Sequence, residues 1–154
     1  MSKGILAAAF AVCALACGPA AAVDAAYSAD SAHSAASIWA KIKGFCDIVP
    51  AALPDLKCAL SEDGLTRTIT LPDGKKIVEK REAFDDAGRT YSYMILDPGP
   101  LPVANYHSKI TINAKGEGSQ IVWTGHFDAK GASDADAQKA IEGIYKGGSD
   151  GLAK

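Results

Sequence analysis

The sequence has little of what usually betrays a function. Among its 154 residues, 16 Lys and Arg stand against 18 Asp and Glu, for a formal net charge of −2. Phosphate backbones need a concentrated positive field, so nucleic acid is not an expected partner. No apolar run reaches the ~18–20 residues needed to cross a bilayer as a helix. There is no Ser/His/Asp constellation, phosphate-cradling Gly loop or nucleotide fingerprint. His33, His107 and His126 stand alone, and no paired Cys-x-x-Cys motifs offer a metal site. Neither a metal nor a cofactor is therefore expected. Repeats and low-complexity tracts are also missing beyond an Ala-rich start. What is present is an apolar content of 48%, too high for a disordered chain, in a length that suits one domain.

The first 22 residues read as a signal peptide. Lys3 supplies a short basic start, and Ile5 to Ala16 form an uncharged apolar run of the length of a signal-peptide core. Pro19 breaks it, and Ala20-Ala21-Ala22 offers the small side chains a signal peptidase needs, with cleavage near Ala22. The alternatives are a buried N-terminal helix, or a lipoprotein anchored at Cys17 within Ala16-Cys17-Gly18. The expected mature protein is thus a periplasmic domain spanning 23–154. Cys13 and Cys17 would leave with the leader, so Cys46 and Cys58 remain as the one pair in the mature chain. Exported thiols normally oxidise, which predicts a Cys46–Cys58 disulfide.

The mature chain begins with a short strand and lead-in over 23–33. A helix follows from Ser34 to Lys43, with Ala35, Ile38, Trp39 and Ile42 on one face. Pro50 and Pro54 allow only a short second helix or turns over 45–57. From Lys57 to Asp128 the apolar period switches to two, giving about six strands broken at Pro72-Asp73-Gly74, Asp85-Asp86-Ala87-Gly88, the proline-rich loop 97–102 and Lys115-Gly116-Glu117-Gly118. Loop 97–102 reads either as a mobile gate or as an ordinary strand connection. The last segment is helical: Ser133 and Asp136 resemble a capping box, and Ala137, Ile141, Ile144, Tyr145, Gly148 and Leu152 form one stripe. The order describes an α+β domain with one curved antiparallel sheet of about six to seven strands wrapped around a long C-terminal helix.

Hairpin parity assigns the sheet faces. Centring the first hairpin on Asp73 sets Arg67 opposite Glu79 and Ile69 opposite Ile77. Carried forward, it pairs Arg81 with Tyr93 and Ala83 with Tyr91. The last hairpin pairs Ile110 with Trp123 and Tyr106 with Phe127. Thr66, Thr68, Thr70, Lys76, Lys80, Lys109, Thr111, Gln120 and Thr124 fall on the outer face, as do His107 and His126. The inner face then mixes apolar side chains with Arg67, Glu79 and Arg81. Charges facing inward need a partner, water or a ligand. An Arg67–Glu79 ion pair, a polar anchor for a ligand at the end of an apolar pocket, and Glu79 as a general base all stay open.

The residues also carry a resemblance. Ser37-Ile38-Trp39-Ala40-Lys41-Ile42-Lys43-Gly44-Phe45, then Thr66-Arg67-Thr68, Glu79 past a Gly turn, Tyr91-Ser92-Tyr93, Tyr106 and Ile121-Val122-Trp123-Thr124-Gly125-His126-Phe127 appear in series. This series resembles the polyketide cyclase/dehydrase branch of the SRPBCC (START and Bet v 1-like) superfamily over roughly residues 30–154. With Cys46 and Cys58 flanking the second helix, the chain is similar to exported MxaD-type proteins. One departure is Ala52-Leu53-Pro54, where relatives often carry Trp-x-Pro. The resemblance implies a helix-grip fold with a cavity between sheet and terminal helix. Arg67, Glu79, Arg81, Tyr91, Tyr93, Tyr106 and Trp123 are the candidate ligand contacts, and Glu79 is a weak catalytic candidate. Three functions follow: a periplasmic binder of a small hydrophobic or amphipathic molecule, an accessory protein for a periplasmic dehydrogenase/cytochrome pair, or a cyclase/dehydratase-type enzyme.

Overall fold

The computed structural model describes residues 22–154. The expected signal peptide, the Cys13 and Cys17 thiols and the lipidation alternative lie outside the described residues, except for Ala22. The chain runs β1 (Val23–Ser31), α1 (Ala35–Ile42), α2 (Ile48–Ala52), β2 (Lys57–Leu60), β3 (Thr66–Thr70), β4 (Lys76–Asp85), β5 (Thr90–Asp97), β6 (Val103–Lys115), β7 (Gly118–Ala129) and α3 (Asp134–Leu152). The seven strands form one curved antiparallel sheet in the order β1-β7-β6-β5-β4-β3-β2. Helix α3 packs on β1 and β7 and against α2. This is the helix-grip fold.

Local chemistry sets the boundaries. Ser34 caps α1 by accepting from the Ser37 amide at 3.3 Å, and Ser133 caps α3 by accepting from the Asp136 amide at 3.2 Å. The long strands β6 and β7 alternate buried and exposed residues, so one face is sealed beneath α1 and α3 and the other meets water. The expected outer-face residues are all exposed or half-buried.

The register follows hairpin parity where the ladder is regular. Arg67 opposes Glu79, Ile69 opposes Ile77, Arg81 opposes Tyr93 and Ile110 opposes Trp123. Two pairings differ. A bulge between Arg81 and Ala83 sets Ala83 opposite Ser92 and leaves Tyr91 opposite Phe84. The extra residue on β4 reverses its parity, so Phe84 stacks on Trp39 at 5.6 Å between ring centres. A second irregularity, between Ala104 and His107, removes Tyr106 from ladder pairing with Phe127. Asn105 there has φ 48°, and its amide donates to Asp128 at 2.6 Å. The Tyr106 and Phe127 rings still stack at 5.8 Å, because the bulge bends the strand without moving the side chain off the inner face.

Cys46 and Cys58 are joined by a disulfide across a Cα separation of 5.6 Å. It ties the lead-in of α2 to edge strand β2. No helix among the described residues is long and apolar enough to cross a membrane.

Candidate functional site

The inner face of β3 and β4 carries a buried ion pair. Arg67 Nε donates to Glu79 Oε2 at 2.5 Å, and the side chains are only 2% and 8% exposed. Strand register places the two directly opposite each other. Arg67 Nη1 also donates to the Phe45 carbonyl oxygen just after α1. The guanidinium lies 4.2 Å from the Phe45 ring centre and 5.0 Å from that of Tyr93. Burial is the largest single influence and disfavours its charge, but the Glu79 carboxylate together with the Tyr91 and Tyr93 phenols outweighs it and raises the Arg67 pKa above its ordinary value.

A hydroxyl network continues along β5, β6, β7 and α3. Trp123 Nε1 donates to both Tyr93 Oη at 3.1 Å and Ser108 Oγ at 3.0 Å. Ser108 Oγ donates to the Thr124 carbonyl oxygen at 2.7 Å and lies 3.2 Å from Tyr145 Oη. Tyr145 in turn is hydrogen-bonded to Tyr106. The Tyr145 ring stacks on Trp123 with centres 4.9 Å apart. Burial raises every phenol pKa here, because phenolate charge is poorly solvated inside the protein. Tyr145 is pushed up to about 12. Tyr93 and Tyr106 rise well above the usual phenol value, by burial first and then by the Glu79 charge for Tyr93 and the Tyr93 phenol for Tyr106.

Between these groups and α3 lies a cavity of about 190 Å³. Its apolar wall comes from Ile48, Val49, Leu53 and Leu56 around α2, from strand isoleucines, and from Ile141 and Ile144 of α3. Leu101, in the proline-rich loop 97–102, also lines it. Gly143 and Gly147 of α3 border it and are exposed, so the cavity opens beside residues that have no side chain to close it. A larger depression of about 290 Å³ surrounds His107 and His126, but it is shallow and open on the convex face. There His126 pairs with Asp24 at 2.7 Å and His107 with Glu82 at 3.1 Å. Among the described residues no group of three or more His, Cys, Asp and Glu converges as a metal site.

Five of the seven candidate contacts, Arg67, Glu79, Tyr93, Tyr106 and Trp123, meet at the cavity. Arg81 and Tyr91 do not line it. Arg81 is half-buried and lies 5.2 Å from the Phe84 ring centre, while Tyr91 is buried against Trp39 and Phe45. Both pack against the Phe45 ring instead. Ser108 and Tyr145 are members of the site that pattern alone does not single out. Tyr145 reads as one more core position in a helical stripe, and a strand serine carries no signal of its own. The small residue at 125 was the available hint: a Cβ on Gly125 would fall 2.1 Å from Tyr145 Oη.

Comparison with known proteins agrees with this fold. The sequence model of the family described as "Polyketide cyclase / dehydrase and lipid transport" matches residues 22–154. No curated protein matches. Among solved structures, XoxI from Bacillus cereus is 34% identical, with 85% of this chain and 93% of that one covered at a TM-score of 0.80. An uncharacterised protein from Bacillus thuringiensis is 33% identical, covering 85% and 96% at a TM-score of 0.80. Norcoclaurine synthase from Thalictrum flavum, solved with dopamine and hydroxybenzaldehyde, is 17% identical over 99% and 95% of the chains, at a TM-score of 0.68. That last likeness is one of fold.

Proposed function

Since this chain belongs to the polyketide cyclase / dehydrase and lipid transport family, we propose that it is an exported binding protein holding a small apolar or amphipathic molecule between its sheet and its terminal helix. The observation that carries this reading is the cavity of about 190 Å³, whose largely apolar wall also includes Arg67, Glu79 and Tyr93. Binding sites of this kind join a largely apolar lining to a few placed polar groups. Export to the periplasm is supported by the signal-peptide pattern of the first 22 residues and by the Cys46–Cys58 disulfide, which suits an oxidising compartment.

Catalysis by Glu79 has less support, because one of its oxygens is already committed to Arg67. The test is native mass spectrometry of protein exported by its own leader, before and after denaturation. The expected result is an added mass that disappears on denaturation, on a chain starting at Val23 and two hydrogens lighter than its reduced form. A bare chain would count against the binder and favour the accessory role beside a dehydrogenase or cytochrome. Two free thiols would sink the disulfide argument for export.

A further inference from the structure

We infer that the cavity takes a small neutral molecule carrying a hydroxyl group, with Glu79 Oε1 as acceptor and the Tyr93 O–H as donor. This inference rests on the ligand-binding reading above. It comes from counting hydrogens. Ser108 has a single hydroxyl hydrogen, which goes to the Thr124 carbonyl oxygen. Across the 3.2 Å contact between Ser108 Oγ and Tyr145 Oη, the hydrogen must therefore come from Tyr145. With that hydrogen committed, Tyr106 is the donor in its bond to Tyr145. The single hydrogen of Trp123 Nε1 is shared between Ser108 and Tyr93 oxygens. The network thus ends at Tyr93, whose oxygen accepts from Trp123; the nearest acceptor for its own hydrogen, Ser108 Oγ, already receives the hydrogens of Trp123 and Tyr145 on its two lone pairs.

Glu79 presents the complementary vacancy of valence. Its Oε2 is held by Arg67, and no donor among the described residues reaches Oε1. Both residues line the cavity. Glu79 opposes Ile95, two residues along β5 from Tyr93, which makes Glu79 and Tyr93 diagonal neighbours on one face. Diagonal positions are about 7–8 Å apart, within reach of long side chains and a group between them. Tyr91 Oη also lacks a partner, but Tyr91 does not border the cavity.

A free Tyr93 donor beside a free Glu79 acceptor selects among functional groups. A hydroxyl satisfies both. An ammonium group can donate to Glu79 but has no lone pair for Tyr93. A carboxylate can accept from Tyr93 but brings a second negative charge against Glu79. Arg67 adds no net attraction for an anion, because its charge is balanced by Glu79; its Nε and Nη1 serve Glu79 and the Phe45 carbonyl, and its remaining N–H groups can only add a further donor to a ligand oxygen. Size narrows the choice further. A cavity of about 190 Å³ somewhat exceeds the ~150 Å³ that accommodates benzene, which fits one ring with a short substituent.

The test is a titration of the oxidised protein with benzyl alcohol, toluene and benzoate. It is read from the indole N–H resonance of Trp123, with that of Trp39, which donates to Asp86 at 2.6 Å outside the cavity, as control. Benzyl alcohol should move the Trp123 signal and bind about tenfold more tightly than toluene or benzoate, the loss expected when a hydrogen-bonding site meets a ligand that cannot pair with it. Tyr93→Phe should bring the alcohol close to toluene and leave toluene unchanged. Equal binding of alcohol and toluene, tightest binding of benzoate, or an unaffected alcohol in Tyr93→Phe would each overturn the hydroxyl inference while leaving the binding reading intact. If none of the three moves Trp123 in the wild-type protein, both readings fall.

Discussion

Tyr145 sits where the terminal helix meets the polar part of the sheet, and its hydroxyl both receives from Tyr106 and gives to Ser108. Removing it strands the Tyr106 hydrogen in a buried place. Tyr145→Phe should therefore destabilise the fold by about 1–3 kcal/mol, the cost of an unsatisfied buried polar group. Adding Tyr106→Phe to that variant should cost less than the sum of the single changes, which a double-mutant cycle in urea would measure. The same phenols make stability sensitive to alkali. A phenol held protonated in the fold binds its proton above the pH at which the unfolded chain releases it. Stability is then unaffected below pH ~10 and falls as pH rises toward the folded value. For Tyr145, raised from 10.0 to about 12, the loss amounts to about 3 kcal/mol across that window. Near-ultraviolet phenolate absorbance should show Tyr93, Tyr106 and Tyr145 titrating late and together with unfolding. A normal alkaline titration of those three in the folded state would contradict their burial.

Helix α3 carries glycines that propensity alone marks as weak points, and their neighbours show that they do different work. A Cβ on Gly148 would lie 2.6 Å from the Trp123 ring, and one on Gly151 would lie 2.7 Å from the Ala52 carbonyl oxygen. These two let the helix sit close on β7 and α2. Gly147 has open space beyond its Cα. Gly147→Ala should stabilise the protein by about 1 kcal/mol through helix propensity. Gly148→Ala gains the same propensity but forces Trp123 to shift, and should destabilise by about 1–2 kcal/mol overall. Thermal melting of the two variants side by side checks the contrast. Strand β4 makes the same point differently. Its bulge beside Glu82 is invisible to alternation, since a single added residue has no composition of its own, and it redirects Phe84 toward Trp39.

At the scale of the molecule, the Cys46–Cys58 bridge fastens the α2 side of the cavity to the edge of the sheet. Reduction, or replacing both cysteines by Ala, should lower unfolding free energy by about 2–3 kcal/mol in urea. It should also weaken any cavity ligand, because Ile48 and Val49 lose their fixed position. Unchanged affinity after reduction would mean that α2 holds its place by packing alone. The fold itself was legible along the chain: the helix stripes, the period-two strands, the turns and the caps are local signals, each decided by neighbours within a few residues. Regular register followed as well, so Arg67 could be set against Glu79 from the Pro72-Asp73-Gly74 turn. Which of the inward residues meet at one cavity was decided only by tertiary structure. Whether Arg81, Tyr91 or Tyr145 faces that space depends on a bulge and on how closely a glycine-bearing helix approaches Trp123. Those are long-range packing outcomes, and the local sequence period carries no record of them.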